Sequence, residues 1–385
     1  MPPEKNAQTT VGILYAPLLD VGGVETHLLS LLRHSDHTLY RWLIIASTSP
    51  IFKVQAEALG AQVIPWQPAH ILDGKALIHL VCLLRVQPID LLHVHSPRAS
   101  LLGRIAARLA GLPVIVTAHL PPYYFVYGQN IRARFKRCIY RWVEKTLNYG
   151  LTDQLIYVSA RVCQEALALG LAPRGRTIVI ENGIDLTSFA NEGQSSAVRE
   201  ALGTPPQATV LCCVGRLDKQ KGIDVLLEAI SKLESEKQTC VWLVGDGPQR
   251  AALEIQARQL GLDAHVRFLG FRDDVPDLLK ASNIFVLPSR YEAMPMTILE
   301  AMAAGLASVV TDVGENAHLI EDGVTGRIVP PEDPQALADA LRALIQNPSL
   351  CGDMGGKAKT KAQQYGVERM VARTLGVYER VLHER

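Results

Sequence analysis

Residues 284–305 read IFVLPSRYEAMPMTILEAMAAG. The first four are apolar and β-favouring, which predicts a short buried strand over 284–287. Pro288 and Pro295 bracket a polar loop. The small, apolar residues that follow predict a helix over 297–304. Pro295 then falls in the first turn of that helix, where its missing N–H is not needed. Glu292 is placed in the loop and Glu300 on the helix, with seven residues between them. The backbone N–H groups near Met294, Met296 and Thr297 point out of the helix start, a ready site for an anion. An acid beside such a helix start suits a ligand that carries both hydroxyls and phosphates.

The same strand–loop–helix unit recurs outward in both directions. Before it, strands are predicted at 210–214, 241–244 and 266–269; after it, at 308–310 and 327–329. Helices are predicted between these at 223–233, 249–260, 275–281 and 334–346. The first half repeats the pattern, with strands at 11–15, 42–46, 91–94, 114–117, 155–158 and 178–180. Its helices include 25–33, 100–110 and 161–168. Buried strands alternating with helices mean parallel sheets covered on both faces. The fold class is therefore α/β, with two tandem Rossmann-like, doubly wound domains facing a cleft. A length of 385 residues also exceeds one ordinary core. The expected domains are 1–190 and 191–364, joined in the polar segment 191–207, with a last helix over 365–385.

Composition narrows the class. The chain is 48% hydrophobic and carries a net charge of +1, as a soluble globular protein does. Its longest apolar run, 77–86, is broken by His79 and Arg85, too short and too polar for a membrane span. The first ten residues, MPPEKNAQTT, lack the apolar centre of a signal peptide. A cytoplasmic protein is expected. The seven cysteines show no CxxC pair, and Cys212 and Cys213 sit inside a strand-like run, as buried small hydrophobes. Residues 1–190 hold 18 Lys and Arg against 12 Asp and Glu, while the rest holds 21 against 26. The basic half suits an anionic acceptor or a membrane surface, although ordinary scatter produces the same difference. No nucleic-acid partner is expected.

Ligands of open α/β sheets bind outside the carboxyl ends of the strands, so the loops after strands carry the candidates. Arg216 and Lys221, in GRLDKQKG after the strand at 210–214, could hold a diphosphate and stabilise it as it leaves. Gly22 and Gly23 follow the first strand; alone, the pair reads as a plain tight turn, since no GxGxxG or GxxxxGK[ST] pattern surrounds it. His119 follows the strand at 114–117. His93 and His95 are expected in the core, and no pair shows metal-ligand spacing. Residues 131–147 form a basic amphipathic helix, with Ile131, Phe135, Ile139 and Val143 four apart among Arg132, Arg134, Lys136, Arg137, Arg141 and Lys145. It could rest on anionic lipid; more often such a stripe packs on the protein's own sheet.

Taken in order, GGVETHLLSLL, HVHSPRASLLGRIAARLAGLPVIVTAHL, ENGID at 181–185, VGRLDKQKGIDVLLEAI, LVGDGPQRAALE, the segment around Glu292 and EDGVTGRIVPPEDPQALADAL resemble family 4 glycosyltransferases of the GT-B fold. The resemblance covers nearly the whole chain. It implies transfer of a sugar, with retention and without a metal or other cofactor, from a nucleoside-diphosphate sugar, most commonly UDP-linked. The acceptor stays open among glycan, lipid-linked sugar and small molecule, and so does the oligomeric state. The resemblance implies donor contacts at Gly22, Gly23, Arg216, Lys221, Phe271, Arg272, Glu292, Met294, Met296, Thr297 and Glu300. Glu292 would meet the donor sugar and Glu300 the ribose, Arg216 and Lys221 the diphosphate, Phe271 and Arg272 the base. His119 would stand at the reacting centre. It further implies that the last helix crosses back to the first domain. Two departures stand out: Ala293-Met294 replaces the usual Gly-Phe, and His318 stands where a glutamate is common. A degenerate transferase acting as a scaffold, or a phosphorylase or epimerase on the same fold, are the alternatives.

Overall fold

The computed structural model describes residues 8–16, 22–47, 49–119, 131–190, 195–233 and 239–384. The chain divides into two compact units. The first comprises Met1–Asn182 together with Val367–Arg385, and the second Gly183–Gly366. The division falls ahead of the join placed at 190/191, and part of the expected linker, residues 191–194, lies outside the described residues.

The first unit is built on seven parallel strands: β1 (Thr9–Tyr15), β2 (Tyr40–Ala46), β3 (Gln62–Pro65), β4 (Leu91–Val94), β5 (Val114–Ala118), β6 (Gln154–Tyr157) and β7 (Thr177–Val179). Their order across the sheet is β3-β2-β1-β4-β5-β6-β7. The sequence pattern missed β3, whose QVIP is short, half-exposed and at the sheet edge. Central strands are buried on both faces, so β1 reads as an apolar run from Val11 to Tyr15 and β4 as one interrupted by His93. β1 pairs with β4 in parallel, Val11 opposite Leu91 and Leu14 opposite Val94.

The second unit repeats the plan with six strands: β8 (Thr209–Val214), β9 (Thr239–Val244), β10 (Val266–Gly270), β11 (Ile284–Leu287), β12 (Ala307–Thr311) and β13 (Gly326–Val329). Their order is β10-β9-β8-β11-β12-β13. Both sheets therefore reverse direction once, between β1 and β4 and between β8 and β11. At such switch points the loops leaving two neighbouring strands diverge and leave a crevice. Cys212 and Cys213 lie inside β8, fully buried, and burial pushes the Cys213 thiol up to about 12. All seven cysteines are free.

The terminal helix Val367–His383 belongs to the first unit. Its Val367, Met370, Val371, Val377, Tyr378 and Val381 join the core formed by β1, β2 and the helix Gly23–Arg33. Just before it, Ile184 donates its backbone N–H to the Tyr365 carbonyl at 2.9 Å. The two crossings of the chain between units thus run side by side.

Candidate active site

In the second unit the loops after β8 and β11 meet at the switch point. Asp218 opens the tight turn Lys219–Lys221, its Oδ1 accepting the Lys221 backbone N–H at 3.3 Å. Gly222 then adopts φ +63°, and a Cβ there would lie 2.2 Å from the Pro288 carbonyl oxygen. Only glycine permits this approach of the two loops. Arg290 clamps them from the other side. Its guanidinium forks onto Asp224 at 2.8 and 2.7 Å and also donates to the Lys219 carbonyl at 2.8 Å. Its backbone N–H reaches the Gln220 carbonyl at 2.8 Å.

The clamp sets Lys221 against Glu292. Lys221 Nζ donates to Glu292 Oε1 at 2.6 Å, and Ser289 Oγ donates to the same oxygen at 2.7 Å. Gln220 Nε2 lies 3.5 Å from the other carboxylate oxygen and 3.1 Å from the Tyr291 carbonyl. Both charged side chains are largely buried, at 15% and 7% exposure, so the pair sits where a ligand's oxygens would be desolvated. Behind it, Gly314 at φ +53° presses on the Glu292 backbone, where a Cβ would come within 2.2 Å of the carbonyl. Arg216 does not stand alone either: its Nε donates to Asp218 Oδ2 at 2.6 Å. Asp218, Gln220, Ser289 and Arg290 were not singled out from the sequence. The Arg-x-Asp spacing was the only local signal for one of them.

The helix after Glu292 runs Met296–Ala303, beginning earlier than expected. Pro295 is its cap rather than part of its first turn, held extended at ψ 123°. No side chain caps this helix, and the Thr297 hydroxyl is buried without a partner among the described residues. Met294 and Met296 are buried beside it. Glu300 follows within the helix, and burial raises its carboxyl to about 7. Phe271 stands 53% exposed on the loop after β10, and Arg272 Nε donates to Asp274 at 2.7 Å.

In the first unit the carboxyl ends of β1, β4 and β5 gather histidines. His27, His95 and His119 bring one ring nitrogen each within 4.8 Å of the others. His95 Nδ1 lies 3.2 Å from His119 Nε2, and His27 Nδ1 lies 3.2 Å from Asn182 Oδ1. The sequence pattern shows no such grouping, because its members come from one helix and two separate loops. His93 is in the core, as expected, with Nδ1 2.6 Å from the Tyr378 hydroxyl and Nε2 2.7 Å from Thr117 Oγ1. Burial holds His93, His95 and His119 well below the ordinary range and takes His27 down to about 4 against a smaller opposing effect of Asn182. Four neutral imidazoles result. Two of the three clustered rings, His95 and His119, share a hydrogen bond. Gly22 is extended, at φ −169° and ψ −179°, with open space where a Cβ would be. Among the described residues, neither conformation nor packing requires glycine there. Gly23 begins the helix, and Asp20 and Val21 lie outside the described residues.

The basic helix extends over Ile131–Gly150. Its apolar stripe does not pack on the sheet, contrary to the ordinary expectation. Ile131, Phe135, Ile139 and Trp142 are 83%, 68%, 44% and 69% exposed. Its anchorage is polar and lies near its end: buried Arg104 donates to Asn148 Oδ1 at 2.7 Å and to Glu144 Oε1 at 2.8 Å. Ala133 and Leu147 supply its buried apolar contacts. Among the described residues no helix is long and apolar enough to cross a membrane.

Two doubly wound units with their polar side chains gathered at the switch points define an α/β enzyme acting on a nucleotide-like ligand. Comparison with known proteins gives the class. Residues 21–188 match the family model described as Glycosyltransferase Family 4, and residues 194–361 match that described as Glycosyl transferases group 1. The UDP-Gal:alpha-D-GlcNAc-diphosphoundecaprenol alpha-1,3-galactosyltransferase of Escherichia coli is 32% identical over 280 residues, covering 70% of each chain. D-inositol 3-phosphate glycosyltransferase 2 of Catenulispora acidiphila is 31% identical over 312 residues, covering 77% of this chain and 71% of that one. HepE of Anabaena, solved with UDP and glucose, has the same fold, with a TM-score of 0.84 at 23% identity over 97% of this chain and 100% of that one. The chain is a glycosyltransferase. It belongs to glycosyltransferase family 4, with the two Rossmann-like units of GT-B enzymes.

Proposed function

We propose that the protein transfers a sugar from a UDP-sugar to an acceptor at an anionic membrane surface, with retention at the anomeric carbon and without a metal ion. The observation that carries this reading is the Lys221–Glu292 pair, held by Ser289 and Gln220 beside the uncapped start of the helix Met296–Ala303. A donor diphosphate competes for Lys221 and a donor sugar hydroxyl replaces the lysine as the partner of Glu292. Arg216, Lys221 and the helix N–H groups then face the two phosphates. As the bond from the anomeric carbon to the β-phosphate oxygen breaks, negative charge grows on that oxygen, and these groups neutralise it. The acceptor hydroxyl bonds to the same face of the sugar and passes its proton to the departing phosphate. Glu300 binds the ribose hydroxyls, the loop at Phe271 and Arg272 borders the base, and Gly22 and Gly23 let backbone approach the donor. His119 acts on the donor sugar. Retention, metal independence and the individual residue roles come from the family resemblance; a UDP donor also agrees with the name of the E. coli relative, which is described as acting on a diphosphoundecaprenol-linked sugar.

The membrane part rests on the helix Ile131–Gly150. Its exposed Ile131, Phe135, Ile139 and Trp142 form a stripe at helical spacing, flanked by Arg132, Arg134, Lys136, Arg141 and Lys145. An apolar stripe between cations fits an anionic lipid surface, with rings in the acyl boundary and charges among the headgroups.

The test is nucleotide release from UDP-, GDP- and ADP-sugars, with and without chelator, in the presence of lipid extracts as acceptor source. Release of UDP that survives chelation supports the reading. No turnover or binding with any donor overturns it, and a strict metal requirement overturns the mechanism.

A further inference from the structure

His95 is buried at the end of β4, and its backbone N–H is fixed on the Leu14 carbonyl of β1 at 3.0 Å. Its ring lies against that of His93, centroids 3.9 Å apart, and His93 is itself held between Thr117 and Tyr378. The His95 ring therefore has little freedom. Its Nδ1 faces His119 Nε2 at 3.2 Å, while its Nε2 is buried with no partner among the described residues. His119 is only half-buried.

One proton lies between His95 Nδ1 and His119 Nε2, and it belongs to one ring or the other. If it belongs to His119, neutral His95 carries its own proton on Nε2, as a buried N–H donor with no acceptor. Buried orphan N–H groups are rare in folded proteins. If it belongs to His95, the unpaired Nε2 is a bare lone pair. His119 then carries its proton on Nδ1, on a residue that is only half-buried, so that solvent or ligand rather than a buried group is its acceptor. The second arrangement leaves no N–H stranded. We propose that His95 is a positioning residue that holds His119 as the neutral tautomer with its proton on Nδ1. The consequence deepens the role given to His119 above, and rests on it: the ring presents a hydrogen-bond donor to the donor sugar and has no free lone pair with which to remove a proton. Among the described residues, the titratable groups facing His119 are His27 from the first helix and His93 and His95 from β4 and its loop, and none of them supplies a negative charge.

The tautomer is read directly by NMR of protein labelled with imidazole-15N histidine, with signals assigned through His119→Gln. The expected result is a protonated Nδ1 and an unprotonated Nε2 on His119, unchanged between pH 6 and pH 8. In His95→Ala the two His119 tautomers mix. Turnover falls about tenfold with the donor KM nearly unchanged. His95→Asn, whose side-chain amide can donate to Nε2, restores the tautomer and most of the rate; a mere packing defect would not be rescued this way. Circular dichroism confirms that each variant is folded. A His119 protonated on Nε2, or an unchanged tautomer in His95→Ala, overturns the proposal. So does stoichiometric zinc uptake lost in His27→Ala, which would make the three rings a ligand set instead. If His119→Gln turns over normally, the sugar-contact role falls, while the tautomer measurement still decides the part played by His95.

Discussion

Lys221 and Glu292 form a largely buried ion pair, and in the proposed reaction the donor enters it, which decides how substitutions there behave. Removing one partner of a largely buried pair leaves the other charge uncompensated. Lys221→Ala leaves Glu292 uncompensated and removes the proposed diphosphate contact, and Glu292→Gln frees Lys221 and removes the proposed sugar contact. Each is expected to lower kcat/KM for the donor by about tenfold or more, the size of a lost transition-state contact. Rates near wild type for both, in a steady-state assay of UDP release, would remove this pair from the reaction. Glu300 makes a separate, pH-dependent prediction. Its carboxyl is raised by burial to about 7, above its unfolded value, so the folded state binds that proton more tightly. Its stabilising effect is full below the unfolded value and is lost as pH rises through about 7. Glu300→Gln is thus expected to gain Tm relative to wild type between pH 5 and pH 8, measured by calorimetry; a difference independent of pH would contradict the raised carboxyl. Each of these side chains was legible in the sequence, because an acid, a lysine or an arginine after a buried strand is a conspicuous combination. Their pairing was not. Ser289, Gln220 and Asp218 look like ordinary loop residues, and only the meeting of two loops 71 positions apart, as in the Lys221–Glu292 contact, gives them a role.

At the level of elements, apolar runs located all six strands of the second unit, since parallel strands buried on both faces leave a strong continuous signal. The same signal failed for β3, where an edge position needs less apolar surface. Periodicity also found the helix Ile131–Gly150 but not the direction in which its stripe faces. An amphipathic pattern states that one side is apolar; whether protein or lipid covers that side depends on the neighbours. Here the anchors are Asn148, Glu144 and buried Arg104, which hold the polar side and leave the stripe exposed. Charge reversal with Arg134→Glu and Arg137→Glu is expected to abolish sedimentation with anionic vesicles while leaving UDP release from soluble donor unchanged. Binding that persists with the reversed charges would assign the stripe to another partner. The Lys221 turn gives a stability counterpart. Gly222→Ala adds a Cβ where the Pro288 carbonyl oxygen would be 2.2 Å away, at φ +63°. The expected loss is on the order of 2–3 kcal/mol in chemical denaturation, from strain and a separated loop pair. An unchanged midpoint would mean that the two loops part without cost.

For the whole molecule, the consequence that local sequence could least reveal is the membership of the last helix. Residues 367–383 follow the second unit in the chain, yet Val367, Met370, Val371, Val377, Tyr378 and Val381 complete the core of the first. The first unit is thus unfinished until the final residues exist, whereas the second is continuous from Gly183 to Gly366. Tyr378 adds a polar tie, since its hydroxyl meets the His93 ring whose other nitrogen is held by Thr117. Met370→Ala removes a nearly fully buried side chain, which costs about 2–5 kcal/mol in a core that cannot collapse. That loss should appear as faster hydrogen exchange in peptides from β1, β2 and β4, far from the mutation in sequence, with little change in peptides from β8, β11 and β12. Saturating UDP should produce the complementary pattern, protecting the second unit by about 2.7 kcal/mol at a hundred times its Kd. Exchange that quickens mainly within Gly183–Gly366 in Met370→Ala would show that the two cores are not separate cooperative units, and the stability of the histidine cluster would then have to be sought in the second unit as well.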